Sequence, residues 1–190
     1  AASSALNLTV DTTAPAKPSI ITTTSLTNDA TPTIEGIAEA GSTVELFNGD
    51  VSLGTTTADG TTGAYTITPA ELSDGDYSLT VTATDAAGNI SAASDALSMT
   101  VDATAPAQPA ITTTTTLTSD ATPTIEGTAE AGSTVTLLSG GVAIGTTTAN
   151  GDGQFSITTS TLADNTYSLT VTATDAAGNI SDASDALSIT

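Results

Sequence analysis

The strongest constraint on this chain is that it contains one sequence twice. Residues 30–36 recur unchanged at 121–127, and residues 77–91 recur unchanged at 167–181. The offset between the copies is 91 positions early in the repeat and 90 late in it, because one residue is lost near Gly60. A duplication of this kind predicts two copies of one small domain in tandem, because a repeated sequence folds into a repeated unit.

The same comparison sets the expected domain boundaries. Residues 3–11 carry the pattern of residues 94–102, and both segments end on Thr-Val-Asp. We therefore expect residues 1–10 to be the last strand of a preceding repeat or an N-terminal arm. Residues 11–101 are then the first repeat and residues 102–190 the second. The pattern indicates an array that is longer than this chain at both ends.

Within each copy the pattern is a series of short β-strands. Tyr77, Leu79 and Val81 alternate with serine and threonine, which predicts a strand with one buried face. Clusters of Gly, Asp and Asn separate such runs, as turns do. The other strands of the first copy are expected near 19–23, 31–38, 43–47, 51–57, 64–68 and 95–101. Seven short strands in about 90 residues predict an all-β, antiparallel sandwich, and no stretch has a helical period.

One tyrosine spacing makes the fold class more specific. Tyr77 stands two positions before Leu79, which is expected to be buried, and Tyr167 stands two positions before Leu169. This is the spacing of the tyrosine corner of immunoglobulin-like sandwiches. The chain is therefore expected to form two tandem immunoglobulin-like domains arranged end to end.

The charge limits the partners that the chain can bind. Its 190 residues include 21 acidic side chains, a single Lys or Arg, no His and no Cys, and the net charge is -20. Nucleic acids and anionic membranes attract clusters of Lys and Arg, so neither is an expected partner. No apolar run approaches the ~20 residues of a membrane span. Without disulfides, a compact domain with so much like charge needs bound cations, and calcium is the candidate.

The composition also argues against an enzyme. Without His, Cys or Arg, acid–base and nucleophilic chemistry falls to carboxylates alone. A carboxylate pair at the separation found in glycosidases is the arrangement that remains open. Identical residues in two small sandwiches indicate repeated structure, so we expect no enzymatic activity, no small-molecule substrate and a monomeric chain.

Two motifs together resemble a known family. Val-Asp-x-Thr-Ala-Pro occurs at 10–15 and 101–106, and Thr-Ala-Thr-Asp-Ala-Ala-Gly-Asn at 82–89 and 172–179. The pair resembles the bacterial immunoglobulin-like repeats of giant surface adhesins, the biofilm-associated and type I-secreted RTX stalk proteins. The resemblance implies extracellular, calcium-stiffened extender domains on the bacterial cell surface, which hold a ligand-binding tip away from the cell. The implied partners are neighbouring repeats of the same chain.

The resemblance and the duplication together select candidate calcium ligands. An immunoglobulin-like topology brings the linker, the second–third strand loop and the sixth–seventh strand loop to one pole of each domain. The expected ligands are Asp11, Glu39, Asp85 and Asn89 in the first repeat, Asp102, Glu130, Asp175 and Asn179 at the junction with the second, and Asp74 from a far pole. Calcium takes six to eight oxygen ligands. The alternative is that these Asp and Asn residues make turn hydrogen bonds to their own backbone.

The function expected from these observations is that of a structural stalk segment. The competing interpretation is an adhesion module that contacts ice, sugar or a partner stalk through Thr-rich strand faces. Residues 112–116, five threonines in a row, are the clearest example of such a surface. Strand propensity and solubility are sufficient reasons for a high threonine content, so the stalk is the preferred interpretation.

Overall fold

The computed structural model describes residues 7–190, and these form two compact units, one reaching Asp102 and the other running from Ala103 to Thr190. Within the described range every regular element is a β-strand, and no helix is available to cross a membrane. The prediction for residues 1–10 falls largely on residues 1–6, which lie outside the described residues.

The first unit is a sandwich of two sheets. Its strands are β1 (Ser19–Ile20), β2 (Leu26–Thr27), β3 (Ile34–Ile37), β4 (Thr43–Asn48), β5 (Val51–Thr57), β6 (Ala64–Ile67), β7 (Gly75–Thr84) and β8 (Leu97–Val101). One sheet has the order β1-β3-β6 and the other the order β2-β8-β7-β4-β5. All pairs are antiparallel except β2 with β8, which is parallel.

The second unit repeats this arrangement with seven strands. They are β9 (Ala110–Ile111), β10 (Thr124–Thr128), β11 (Thr134–Ser139), β12 (Val142–Thr148), β13 (Gln154–Thr158), β14 (Tyr167–Thr174) and β15 (Leu187–Ile189). Its sheets have the orders β9-β10-β13 and β12-β11-β14-β15, and all pairs are antiparallel. The prediction of two all-β, antiparallel sandwiches is confirmed.

The alternation read from the sequence produces the core of each unit. In β7, Leu79, Val81 and Ala83 are fully buried and the residues between them are not. The core of the first unit is made of Ile34, Val44, Leu46, Ala58, Tyr65, Ile67, Leu79, Val81 and Met99. The equivalent core of the second unit is made of Ile125, Val135, Leu137, Ala149, Phe155, Ile157, Leu169, Val171 and Ile189. Each core is therefore drawn from one unit alone.

Several strands are shorter than the sequence pattern predicts, for identifiable reasons. The strand expected at 19–23 ends at Ile20, because the Glu35 amide next donates to the Thr22 hydroxyl (2.8 Å) rather than to a backbone carbonyl. The strand expected at 31–38 begins only at Ile34, after Pro32, which has no N–H to donate to the sheet.

Glycine and tyrosine face each other across two neighbouring strands of the first unit. Gly36 pairs with Tyr65, and the tyrosine ring occupies the space where a side chain at 36 would lie. The Tyr65 hydroxyl donates to the Ser19 carbonyl (2.9 Å), and burial raises its pKa to about 12. In the second unit Gly127 faces Phe155 in the same way. The small residue allows the strands and the aromatic ring to approach closely.

The tyrosine corner expected from the sequence is confirmed in both units. The Tyr77 hydroxyl donates to the Ser73 carbonyl (2.8 Å), and the Tyr167 hydroxyl donates to the Ala163 carbonyl (3.1 Å). Each bond reaches four residues upstream and ties the start of a long strand to the loop before it.

Candidate metal centre

The Asp-Ala-Ala-Gly-Asn turn follows β7 and closes on itself. The Asp85 amide donates to the Asn89 carbonyl (3.1 Å), and the Gly88 amide donates to the Asp85 carbonyl (3.2 Å). Gly88 has a φ of 93°, a left-handed conformation that glycine adopts without steric cost. The turn therefore presents its side chains in a fixed arrangement at the end of the sheet.

The Asp85 carboxylate is held by hydrogen bonds within this turn. One oxygen accepts the amides of Ala87 (2.8 Å) and Asn89 (2.9 Å), and the other accepts the Asn89 side-chain amide (2.8 Å). These bonds lower the pKa of Asp85, and the bond from the Asn89 side chain contributes most. Because the donors favour the ionised form, Asp85 is a carboxylate at neutral pH.

The Asn89 amide also reaches the linker that precedes the first unit. Its nitrogen donates to the Asp11 carbonyl (3.1 Å) as well as to the Asp85 carboxylate. We call Asp11, Asp85 and Asn89 the linker clasp. The Asp11 carboxylate accepts the Thr13 amide (3.0 Å), as in an Asx turn. One amide thus joins a linker carbonyl to a turn carboxylate, and three of the predicted ligands meet.

The turn is reproduced in the second unit. One oxygen of Asp175 accepts the amides of Gly178 (2.7 Å) and Asn179 (2.9 Å), and the other accepts the Asn179 side-chain amide (2.8 Å). Desolvation is the largest single influence on Asp175 and acts to raise its pKa. The hydrogen bonds from Asn179 and the turn amides together outweigh it, so that the pKa of Asp175 is lowered.

The other predicted ligands lie on other loops. Because Thr43 pairs with Thr84 and Thr134 with Thr174, the turns that carry Glu39 and Glu130 lie at the same end of each unit as the Asp85 and Asp175 turns. Glu39 and Glu130 are exposed on the turns that follow β3 and β10, where their carbonyls accept hydrogen bonds from Ser42 and Ser133. Asp74 directly precedes the ten-residue strand β7, whereas Asp85 directly follows it, which places them roughly 35 Å apart. Asp102 follows β8, and its amide donates to the Thr27 carbonyl (2.9 Å).

The oxygen atoms of the predicted ligands are of the chemical types that bind calcium. Carboxylate, amide and backbone carbonyl oxygens are the ligands that this ion prefers. Within residues 7–190, however, no three acidic side chains come together as a metal-binding group. The linker clasp of the first unit is closed by hydrogen bonds and supplies only part of a six- to eight-oxygen shell.

Two buried serines beside the turn were not predicted from the sequence. The Ser91 hydroxyl accepts the Ala83 amide (2.9 Å), and the Ser94 hydroxyl accepts the Val81 amide (3.0 Å). Each serine also donates its own amide to the carbonyl of the same partner residue (2.9 Å in both cases). The Ser-x-x-Ser spacing, also present at 181–184, is the signal that could have revealed these bonds. They hold the segment after the turn against β7 until β8 begins.

Replacing Ser94 with alanine is expected to lower the free energy of unfolding of the first unit by about 1–3 kcal/mol. The reason is that the Val81 amide is buried and loses its hydrogen-bond acceptor. Urea denaturation followed by circular dichroism measures the change. Ser98→Ala is the matched control, because Ser98 is exposed on β8. Equal losses in the two variants would contradict the assigned role of Ser94.

Replacing Asp85 with asparagine is expected to lower the melting temperature of the first unit by a few degrees at neutral pH. The NH2 group of the new asparagine would then face an N–H donor in either orientation, the Asn89 side-chain amide in one and the backbone amides of Ala87 and Asn89 in the other. Because the folded pKa of Asp85 is depressed, its contribution is present above the unfolded pKa of ~3.9 and is lost as the pH falls through the folded value. The gap between variant and wild type should be constant from about pH 5 to 8 and close below about pH 4.

Thermal melts across this range test the prediction. Asp50→Asn is the charge-matched control, because Asp50 is exposed in the hairpin between β4 and β5. A gap for Asp85→Asn that is as wide at pH 3 as at pH 7 would show that the ionised carboxylate is not the source of the effect.

The chain is similar in sequence to part of a known protein. Exoglucanase B of Cellulomonas fimi is 37% identical over 194 residues, which cover 95% of this chain and 17% of that protein. This chain therefore spans less than a fifth of that relative's length.

The fold is also found in a solved structure. The fibronectin(III)-like modules of Clostridium thermocellum CbhA align with a TM-score of 0.55 and 20% identity, covering 90% of this chain and 91% of that one. A biofilm-associated protein BSP domain aligns with a TM-score of 0.38 and 22% identity, covering 92% of this chain and 29% of that one. Modules with this fold are typically non-catalytic. The sequence pattern of the bacterial Ig-like domain matches residues 4–103 and 107–190, and the chain belongs to this family as two tandem domains.

Proposed function

We propose that this chain is a stalk segment of a bacterial surface adhesin, whose repeats are stiffened by calcium at their linkers and project a ligand-binding tip from the cell. The observation that carries the proposal is the duplication of the Asp-Ala-Ala-Gly-Asn turn with the same hydrogen-bonded carboxylate in both units. A feature that both domains repeat indicates a structural role in the tandem array rather than a single ligand-binding site.

The design of each unit supports a spacer role. Each unit has its own core of buried apolar side chains. The acidic side chains remain at turns and surfaces, and the net charge of -20 keeps unrelated chains apart. We therefore expect an extracellular, monomeric segment whose partners are neighbouring repeats.

Calcium is the proposed stiffening agent. Asp11, Glu39, Asp85 and Asn89 would hold it in the first unit, and Asp102, Glu130, Asp175 and Asn179 are the equivalent residues for the following junction. A bound ion would supply positive charge that relieves carboxylate repulsion and ties oxygen ligands together. The linker clasp supports this proposal, because it already brings a linker carbonyl beside a turn carboxylate.

Calcium titration with calorimetry and thermal melts tests the proposal. Extracellular calcium modules bind with dissociation constants of ~10⁻⁴–10⁻³ M. At the tight end of that range, 10 mM calcium would stabilise a site by ~2.7 kcal/mol relative to EDTA. Asp175→Asn and Asp102→Asn should each lose most of this gain, whereas Asp50→Asn should retain it. The same melting temperature in calcium and in EDTA would rule out the ion.

A second candidate follows from the relative with 37% identity. Because that protein is an exoglucanase, we propose as the alternative that the chain is a linking module of a glucan-degrading enzyme. Such a module would also be a spacer, so the two candidates differ in the neighbouring domains. Sedimentation of the chain with insoluble cellulose, compared with its sedimentation alone, tests for a direct carbohydrate contact. Binding would favour this candidate, and its absence together with calcium-dependent stability would favour the stalk.

A further inference from the structure

The strand β12 is an open edge of the larger sheet in the second unit. It pairs with β11 on one side, and the order β12-β11-β14-β15 gives it no partner on the other side within the described residues. The strand β13 lies beside β12 but belongs to the other sheet. The outer side of β12 therefore presents unpaired backbone amide and carbonyl groups, which can pair with a further strand.

The hairpin that contains this edge carries no charge. No acidic or basic residue occurs between Glu130 and Asp152, and residues 131–151 are the longest uncharged stretch of the sequence. The rest of the chain carries the net charge of -20, so the hairpin is a neutral surface on a strongly acidic protein.

The first unit has three acidic residues at the positions that are neutral in this hairpin. By the offset of 91, the acids and their uncharged counterparts are Glu45 and Thr136, Asp50 and Gly141, and Asp59 and Asn150. Glu45 contacts the edge strand β5, because its carboxylate accepts the Ser52 hydroxyl (2.6 Å). Asp50 and Asp59 are exposed near the two ends of β5. Charge on an edge strand opposes pairing with another chain, so β5 is protected and β12 is not.

The two edges are otherwise alike. The pairing register shifts between Leu46 and Phe47 in the first unit and at the equivalent place in the second. Beyond the shift, Gly145–Thr148 pairs in unbroken register with Thr134–Leu137. The valine that begins each edge strand is exposed, Val51 by 63% and Val142 by 67%. Charge is therefore the feature that distinguishes the two edges.

A groove of about 510 Å³ borders the end of β12 on the side of β13. Thr147, Thr148 and Asn150 line it together with Gln154 of β13. Its acidic lining residue, Glu126, lies on β10, one strand further into that sheet. The space beside β12 is therefore open and is lined mainly by neutral hydroxyl and amide groups.

We propose that β12 is a pairing edge for β12 of a second copy of this chain, joined antiparallel across a two-fold axis. A strand edge is complementary to itself in this arrangement. With the axis near Thr146, the beginning of each strand lies beside the end of the other. In the first unit the same pairing would place Asp50 of each copy beside Asp59 of the other copy, and like charges opposed in this way are destabilising.

A second copy fits this edge better than a charged partner does. Two chains of net charge -20 repel each other, and the repulsion is smallest where uncharged surfaces meet. A basic peptide would instead be attracted to the acidic residues around β5. The pairing would join neighbouring chains side by side at high local concentration and leave dilute chains monomeric. Its use on a cell surface rests on the proposed stalk function, whereas the pairing itself does not.

Sedimentation equilibrium of the full chain over a concentration series in EDTA tests the proposal. The dimer fraction should rise with protein concentration. It should rise further between ~0.1 and ~1 M salt, because the Debye length falls from ~10 to ~3 Å and the repulsion between the chains is screened. Thr146→Glu should raise the dissociation constant about tenfold, because it brings carboxylates of the two copies together in the paired edge. Thr55→Glu is the matched control, since Thr55 is the exposed equivalent on β5.

Amide hydrogen exchange locates the contact. At high protein concentration the amides of β12 should gain protection that the amides of β5 do not. The combined replacement Glu45→Thr, Asp50→Gly and Asp59→Asn gives the first unit the residues of the second, and it should add a second association step.

A chain that is monomeric at every concentration and salt would overturn the proposal. A dimer that responds equally to Thr146→Glu and Thr55→Glu would do the same, and circular dichroism checks that both variants are folded. Because every sample contains EDTA, failure here is distinguishable from failure of the calcium proposal.

Discussion

Replacing Gly36 with alanine is expected to lower the free energy of unfolding of the first unit by about 3 kcal/mol or more. A β-carbon at this position would overlap the Ser19 carbonyl oxygen and the ring of Tyr65. The tyrosine could move only by breaking its hydrogen bond to the same carbonyl. The carbonyl belongs to the paired strand β1, so relief requires the sheet itself to separate.

Gly60→Ala is the matched control for this prediction. Gly60 has open space where a β-carbon would stand, and its φ is not in the left-handed region. Alanine there should be neutral or slightly stabilising, because it reduces the freedom of the unfolded chain. Urea denaturation by circular dichroism compares the two variants. Similar midpoints for Gly36→Ala and Gly60→Ala would show that the close approach of β1, β3 and Tyr65 is not required.

Replacing Leu46 with alanine is expected to cost the first unit about 2–5 kcal/mol. Leu46 is fully buried at the centre of its core, where β4 pairs with both β5 and β7. The substitution removes buried methyl groups and leaves a cavity that a sandwich held by its sheets cannot close. For a domain of this size, each kilocalorie corresponds to roughly 4–8 °C in melting temperature.

The effect should be confined to the unit that carries the substitution. Leu137 is the equivalent residue of the second core, and each core draws on its own unit alone. Amide exchange should therefore show faster opening at Leu79 for Leu46→Ala and at Leu169 for Leu137→Ala. Faster exchange at both sites in either variant would contradict two separate cores.

The strands were predictable where one face alternates with the other. The strand expected at 51–57 is β5, and the buried positions of β7 follow the Leu-x-Val-x-Ala pattern. Equivalent positions in the two copies have the same burial, since Tyr65 and Phe155 are both buried. The alternation is informative because a strand with one solvent-exposed face buries its apolar side chains in only one pairing register.

The strand ends were not predictable from alternation, because side chains take over backbone roles there. The strand expected at 95–101 begins at Leu97, and Ser91 and Ser94 hold the preceding segment with their hydroxyls. The parallel strand β2 has only two residues and therefore no periodic signal. Serine in such a segment predicts a loop, although here Ser91 and Ser94 are buried and hydrogen-bonded.

The candidate site was predictable in part. The repeat comparison selected the Asp-Ala-Ala-Gly-Asn turn, and the topology placed Asp11 beside Asn89. The sequence could not show that the backbone amides of the turn itself donate to the Asp85 carboxylate, because Asx turns and metal sites use the same residue types. Calcium binding by the predicted ligands therefore stays a prediction.

Small-angle X-ray scattering of this chain in 10 mM calcium and in EDTA tests the central claim most directly. A calcium-stiffened stalk predicts a longer maximum dimension in calcium, a smaller increase for Asp102→Asn and Asp175→Asn, and an unchanged increase for Asp50→Asn. Circular dichroism of the same samples checks that both units remain folded. Superimposable scattering profiles of the folded wild-type chain in the two buffers would contradict calcium stiffening.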